Sequence, residues 1–110
     1  MKDTLPDIAR DIIDSLLLIE DPDDMYAFLR DLLTEWEIRE FANRYRVAQL
    51  LDTGKSYVAI ERETGMSSTT IARISRFLSG ENKWYKKAIA LLLSHHHTSP
   101  SRVGVCVDYQ

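Results

Sequence analysis

The chain has 110 residues, 45% of them apolar, with 14 basic and 17 acidic side chains and a formal net charge of −3. That length suits one small domain with a limited core of its own, to which a second copy would add useful burial. No run of about 18 apolar residues offers a membrane span, the opening MKDTLPDIARDIID is too acidic for a secretory leader, and the single cysteine, Cys106, excludes an intrachain disulfide. A reducing cytoplasm is the expected setting. Strand signals are nearly absent and helical periodicity dominates. Pro6 suits a first helical turn. Ile8, Ile12, Leu16 and Ile19 then recur at helical spacing, widened by Ile13 and Leu17. The acidic stretch 20–24 ends that helix. A shorter one follows, with Met25, Phe28, Leu29, Leu32 and Leu33 on one face and Asp23 and Asp24 beside its positive N-terminus.

Thr34-Glu35-Trp36-Glu37 has the capping-box spacing and opens a long helix that runs to about Thr53 and stops at Gly54. Its apolar residues fall on two sides: Trp36, Val47, Leu50 and Leu51 on one, Ile38, Phe41, Ala42, Tyr45 and Ala48 on the other. A helix apolar on two sides needs cover on both, and in so short a chain a second subunit is the natural source.

Next comes a short helix of about two turns carrying Tyr57, Val58 and Ile60. Gly65 ends it in a left-handed turn, Met66 packs the corner inward, and Ser67 caps the following helix. At about 100° per residue, Ile71, Ile74 and Leu78 share one face of that helix. Ser68, Thr69, Ala72, Arg73 and Arg76 share the opposite one. Short helix, glycine turn and second helix have the spacing of a helix-turn-helix. The candidate DNA-binding residues are Ser67, Ser68, Thr69, Thr70, Ala72, Arg73 and Arg76: a slim polar end for base edges and phosphates, and arginines for phosphate or guanine. A glycine and a serine cap also suit a purely structural αα-corner. The charge distribution favours nucleic acid. Residues 1–42 carry four basic and twelve acidic side chains, a net of −8, while residues 43–110 carry ten and five, a net of +5.

From about Met25 to Leu92 the chain resembles the Trp repressor superfamily, and more closely its YerC/YecD-type members. The segments that carry the likeness are "FLRDLLTEWEIREFANRYRVAQLLDTGKSYVAIERETG" and "SSTTIARISRFL". The landmarks come in order: Leu33-Thr34 opening a long helix, Arg44 within it, Gly54 closing it, then the helix-turn-helix. The resemblance implies an all-α, Trp-repressor-like intertwined helical homodimer with a helix-turn-helix head. It implies a cytoplasmic, sequence-specific transcriptional regulator, a repressor, whose two heads read successive major grooves of a palindromic double-stranded DNA operator. The expected organisation is a helical dimerisation and DNA-binding domain over 1–93, with the helix-turn-helix at about 57–78. A flexible tail is expected over 94–110, where periodicity is lost.

The resemblance also implies a candidate effector pocket of Thr34, Arg44, Arg73, Ile74 and Phe77. Thr34 matches the threonine beside the indole and amino group of the ligand, and Arg44 and Arg73 match the arginines that sandwich the indole and hold the carboxylate. Ile74 stands where the repressor has the glycine that makes room for tryptophan, and Phe77 where it has a small serine. Both add bulk, which favours self-packing over ligand entry. Tight tryptophan binding is therefore not expected, no other cofactor is implied, and Arg73 is left to serve DNA.

The remaining features read as structural. His95, His96 and His97 point in different directions on any regular element and lack a companion ligand. Asp3, Asp7, Asp11 and Asp14 make a solvated ridge. Cys106 has no activating neighbour in sequence. Trp84-Tyr85-Lys86-Lys87 suits either an interleaved aromatic and basic DNA contact or the start of the last helix; the second is expected, with Trp84 and Ala88 packing that helix and Lys86 and Lys87 left outside as candidate phosphate contacts. No phosphate loop, nucleophile motif or metal signature marks an enzyme. The competing reading is a helical dimeric protein-interaction module without DNA binding, and salt-sensitive binding to duplex DNA separates the two.

Overall fold

The computed structural model describes residues 6–81 and 83–98, with the side chains of 96–98 excepted. Within them the chain forms six helices and no strand: α1 (Asp7–Leu18), α2 (Pro22–Leu32), α3 (Glu35–Asp52), α4 (Tyr57–Thr64), α5 (Ser68–Leu78) and α6 (Trp84–Thr98). The expected all-α class is the observed one. The chain divides into two compact units, Met1–Glu40 and Phe41–Gln110.

In the first unit α2 and the start of α3 carry side-chain caps, whereas α1 has none. Pro6 precedes α1 as its N-cap residue, and Pro22 stands in the first turn of α2, where a missing N–H costs nothing. The Asp21 carboxylate accepts from the Asp24 N–H at 3.1 Å and caps α2. Thr34 and Glu37 form the full reciprocal box. The Thr34 N–H donates to Glu37 Oε1 at 2.8 Å and the Glu37 N–H to Thr34 Oγ1 at 3.1 Å. Neither α1 nor α2 contains a buried residue, and Ile8 of the apolar stripe is 85% exposed.

The second unit contains the buried core. Val47, Ala48 and Leu50 of α3, Ile60 of α4, Ile71, Ile74 and Leu78 of α5 and Ile89 of α6 form one cluster, with Tyr45, Leu51, Met66 and Tyr85 packed around it. Ala48, assigned by periodicity to the far side of α3, joins Val47 and Leu50 because α4, α5 and α6 together cover a broad arc of that helix. Tyr45 stacks on Tyr85 with ring centroids 6.5 Å apart, and burial raises its phenol pKa. Gly54, at φ +91°, closes α3 through a Schellman pair: its N–H donates to the Leu51 carbonyl at 3.0 Å and the Lys55 N–H to the Leu50 carbonyl at 3.2 Å.

Two expectations are corrected here. Trp84 does not pack α6; it is 62% exposed, with the Lys87 ammonium 4.5 Å from its ring centroid. The inward face is set by Tyr85 and Ile89, about 100° or more around the helix from Trp84. The last helix also continues past Leu93 to Thr98, because 94–98 contains no glycine or proline to interrupt the hydrogen-bond ladder. Asp3, Cys106, the side chains of His96 and His97, and the tail from 99 onward lie outside the described residues. Among the described residues no helix is long and apolar enough to cross a membrane, and no cluster of three metal-ligating side chains occurs.

Candidate functional site

The site begins with the corner between α4 and α5. Ser56 caps α4 by accepting from the Ala59 N–H at 3.2 Å. Gly65, at φ +77°, ends it, donating its N–H to the Glu61 carbonyl at 2.8 Å in the single-bond left-handed motif. The Thr64 hydroxyl donates to the Ile60 carbonyl at 2.7 Å and accepts from the Met66 N–H at 3.2 Å, so both strands of the turn are tied. Ser67 then caps α5, accepting from the Thr70 N–H at 3.2 Å and donating to Thr70 Oγ1 at 3.1 Å. A fixed corner holds α5 by its start, and Ile71, Ile74 and Leu78 hold it by its inner face.

With that face buried, the opposite one is presented: Ser68, Thr69, Arg73 and Arg76 are exposed and Ala72 is half-buried. Ser68, Thr69, Ala72, Arg73 and Arg76 line one open hollow of about 660 Å³, joined by Tyr57 from the first turn of α4. Ser67 and Thr70 are turned to the capping bond, and Ser67 lines a second hollow of about 440 Å³ with Val58, Arg62 and Met66. The candidate DNA-binding residues thus fall into two groups: five on the presented stripe and two engaged in the cap. Tyr57 carries no sequence signal for this position. Its place beside α5 depends on the angle of the corner, which periodicity within one helix does not encode.

The charges of the same unit divide in a comparable way. Glu63 accepts from Arg46 at 3.1 Å and from Lys55 at 3.0 Å, clamping α4 to α3 and to the turn after it. The Lys55 hydrogen bond is the chief cause that lowers the Glu63 pKa, reinforced by the charge of Lys55 and by Arg46. Lys86 pairs with Asp52 at 3.3 Å. Arg73 and Arg76 make no ion pair among the described residues. The hollow is therefore lined by two uncompensated guanidinium groups, two hydroxyls and a phenol, with no carboxylate. Such a surface attracts an anion and offers it both charge and directional donors.

The candidate effector residues are placed differently from one another. Thr34 is occupied in the capping box of α3. Arg44 is exposed. Ile74 is sealed in the core at 3% exposure, whereas Phe77 is 57% exposed and lines a separate hollow of about 360 Å³ with Lys83, Trp84 and Tyr85. The self-packing expected of both bulky residues holds for Ile74 alone within this chain. Phe77 stands about 90° around α5 from the centre of the buried face, too far to reach the core.

Comparison with known proteins matches residues 9–93 to the family model described as Trp repressor protein. The uncharacterized protein YerC of Bacillus subtilis (strain 168) is 40% identical over 78 residues, which cover 71% of this chain and 75% of YerC. The crystal structure of a TrpR-like protein from Eubacterium eligens ATCC 27750 superimposes with a TM-score of 0.76 at 30% identity, covering 79% of this chain and 90% of that one. A second solved structure, from Staphylococcus aureus, gives a TM-score of 0.75 at 31% identity over 80% of this chain and 88% of its own.

Proposed function

The chain belongs to the Trp repressor family, and from that membership we propose that it is a sequence-specific DNA-binding transcriptional regulator, a repressor that acts as a homodimer. One observation carries the reading: the presented face of α5 brings Arg73 and Arg76, free of carboxylate partners, together with Ser68, Thr69 and Ala72 in one hollow. In this reading α5 enters the major groove of duplex DNA. The arginines take phosphates or a guanine edge, which supplies affinity, and the slim hydroxyl-bearing end approaches base edges, which supplies selectivity. Two heads related by a twofold axis would read half-sites about one helical turn apart, roughly 34 Å, so the operator would be palindromic.

The same reading places no requirement on free tryptophan. Ile74 fills its own space in the core, where the resemblance requires a glycine to make room for the ligand. Close-packed neighbours yield to an oversize guest only with strain of about 1–3 kcal/mol. Operator selection from random duplexes, followed by titration at several salt concentrations with and without tryptophan, tests both parts. Affinity for one palindromic sequence that falls steeply with salt, and is the same with tryptophan present, is the expected result. Equal, salt-insensitive failure on every duplex would favour the protein-interaction module instead. Micromolar tryptophan binding that tightens operator binding would restore a corepressor.

A further inference from the structure

Tyr57 has no role in the reading above, yet it occupies one wall of the same hollow as the presented stripe of α5. It is 41% exposed, and its phenol has no hydrogen-bond partner among the described residues. The residue belongs to α4, the helix that precedes the presented one, and in helix-turn-helix heads that first helix crosses the nucleic-acid backbone while the second enters the groove. The rest of the hollow offers two unpaired arginines and no carboxylate, a lining that suits an anionic group. We propose that Tyr57 is a DNA-backbone contact and a positioning residue. Its hydroxyl donates to a phosphate oxygen beside the groove that α5 enters, while its ring walls the hollow against Ala72 and sets how deep α5 sits. This rests on the reading of α5 as the groove helix.

A hydroxyl is an uncharged donor. Losing it removes a hydrogen bond to a charged acceptor, roughly tenfold in affinity, but releases no counterion, so the dependence of affinity on salt should not change. That separates Tyr57 from Arg76, whose loss should flatten the salt slope by about one. The test uses the full chain, the selected operator and several unrelated duplexes. Tyr57→Phe keeps the ring and is expected to weaken all of them by a similar factor, at an unchanged salt slope and an unchanged unfolding midpoint. Replacing single operator phosphates by neutral methylphosphonates should reveal one position per half-site at which parent and Tyr57→Phe bind equally, as coupling through one contact requires. Tyr57→Ala should weaken binding further, because the wall of the hollow is lost as well. If the parent binds its operator and Tyr57→Phe binds equally well, the assignment is overturned. A variant that prefers a different sequence would place the phenol on a base and overturn it too. A parent that binds no duplex overturns the function reading itself, and the role of Tyr57 with it.

Discussion

The two units solve the problem of a small chain in opposite ways. From Val47 onward, four helices supply side chains to one closed core, and the corner between α4 and α5 is tied at every turn. Before it, α2 has a well-made start and α1 an uncapped one behind Pro6, and neither has a buried residue. Ile8, Leu17, Leu18, Leu32 and Trp36 all stand more than a third exposed. Good caps and amphipathic spacing make a helix but do not stabilise it alone; burial of the apolar face does most of that. The C-terminal unit has that burial within one chain. The N-terminal unit has the pattern without the partner, which is the physical content of the proposed dimer.

The sharpest way to break this comparison is to charge the exposed stripe. If a second copy covers α1, Leu17→Asp buries an unpaired carboxylate at a cost of roughly 3–5 kcal/mol, and the dimer should dissociate. Sedimentation of parent and variant at micromolar concentration reads this directly. A parent that is already a folded monomer would dissolve the contrast, because α1 and α2 would then be stable uncovered. Next in size is the core itself. Ile71 is fully buried, so Ile71→Ala should cost about 2–5 kcal/mol in urea unfolding. The equivalent truncation Ile8→Ala should act only through assembly, and so should vanish when the protein is diluted below the dimer's dissociation constant.

The presented face of α5 comes third. Arg76→Ala should lower affinity for every duplex by about 1–3 kcal/mol, whereas Thr69→Ala should change the preferred sequence more than the general affinity. Quantitative binding across an operator library distinguishes the two. If both variants bound every duplex like the parent, α5 would not be the contact surface.

These residues were legible because their information is local. The spacing of Ile71, Ile74 and Leu78 fixes which side of α5 is buried, and so fixes which side is presented. Gly65, Ser67 and the Thr34–Glu37 box are legible for the same reason, since each is a bond between residues two to four apart. The features that local spacing does not encode depend on neighbours distant in sequence. Tyr57 joins the hollow through the angle of the corner. Trp84 has the composition of a core residue but faces away, because α6 docks through Tyr85 and Ile89. Phe77 is bulky and apolar, yet its angle on α5 leaves it outside. The Arg46–Glu63–Lys55 cluster spans two helices and a turn. The cap at Ser67 contributes less than the core contacts: Ser67→Ala should cost about 1 kcal/mol of stability by orphaning the Thr70 N–H. It should leave duplex preference unchanged, since Ser67 is turned away from the stripe.

The smallest expected effect concerns the clamp on α4. Glu63 is exposed enough that water and salt screen its pairs, so removing it should matter far less than truncating Ile71. Its signature is the pH dependence. The folded state, chiefly through the Lys55 hydrogen bond, holds the Glu63 carboxyl below the ordinary value of 4.5, so the native protein takes up that proton less readily than the unfolded chain does. The contribution of the clamp is then complete above the unfolded value and is lost as pH falls through the lower folded one. Other carboxylates titrate over the same range, so the absolute stability of the protein reports on all of them at once. The difference between parent and Glu63→Gln isolates this one. Unfolding midpoints should differ slightly at neutral pH and converge in acid, and added salt at neutral pH should shrink the gap as well. A gap that survives both acid and salt would mean that the difference does not come from the carboxylate charge, because glutamine keeps the same stem, and that the Arg46 and Lys55 pairs are not what separates the two proteins.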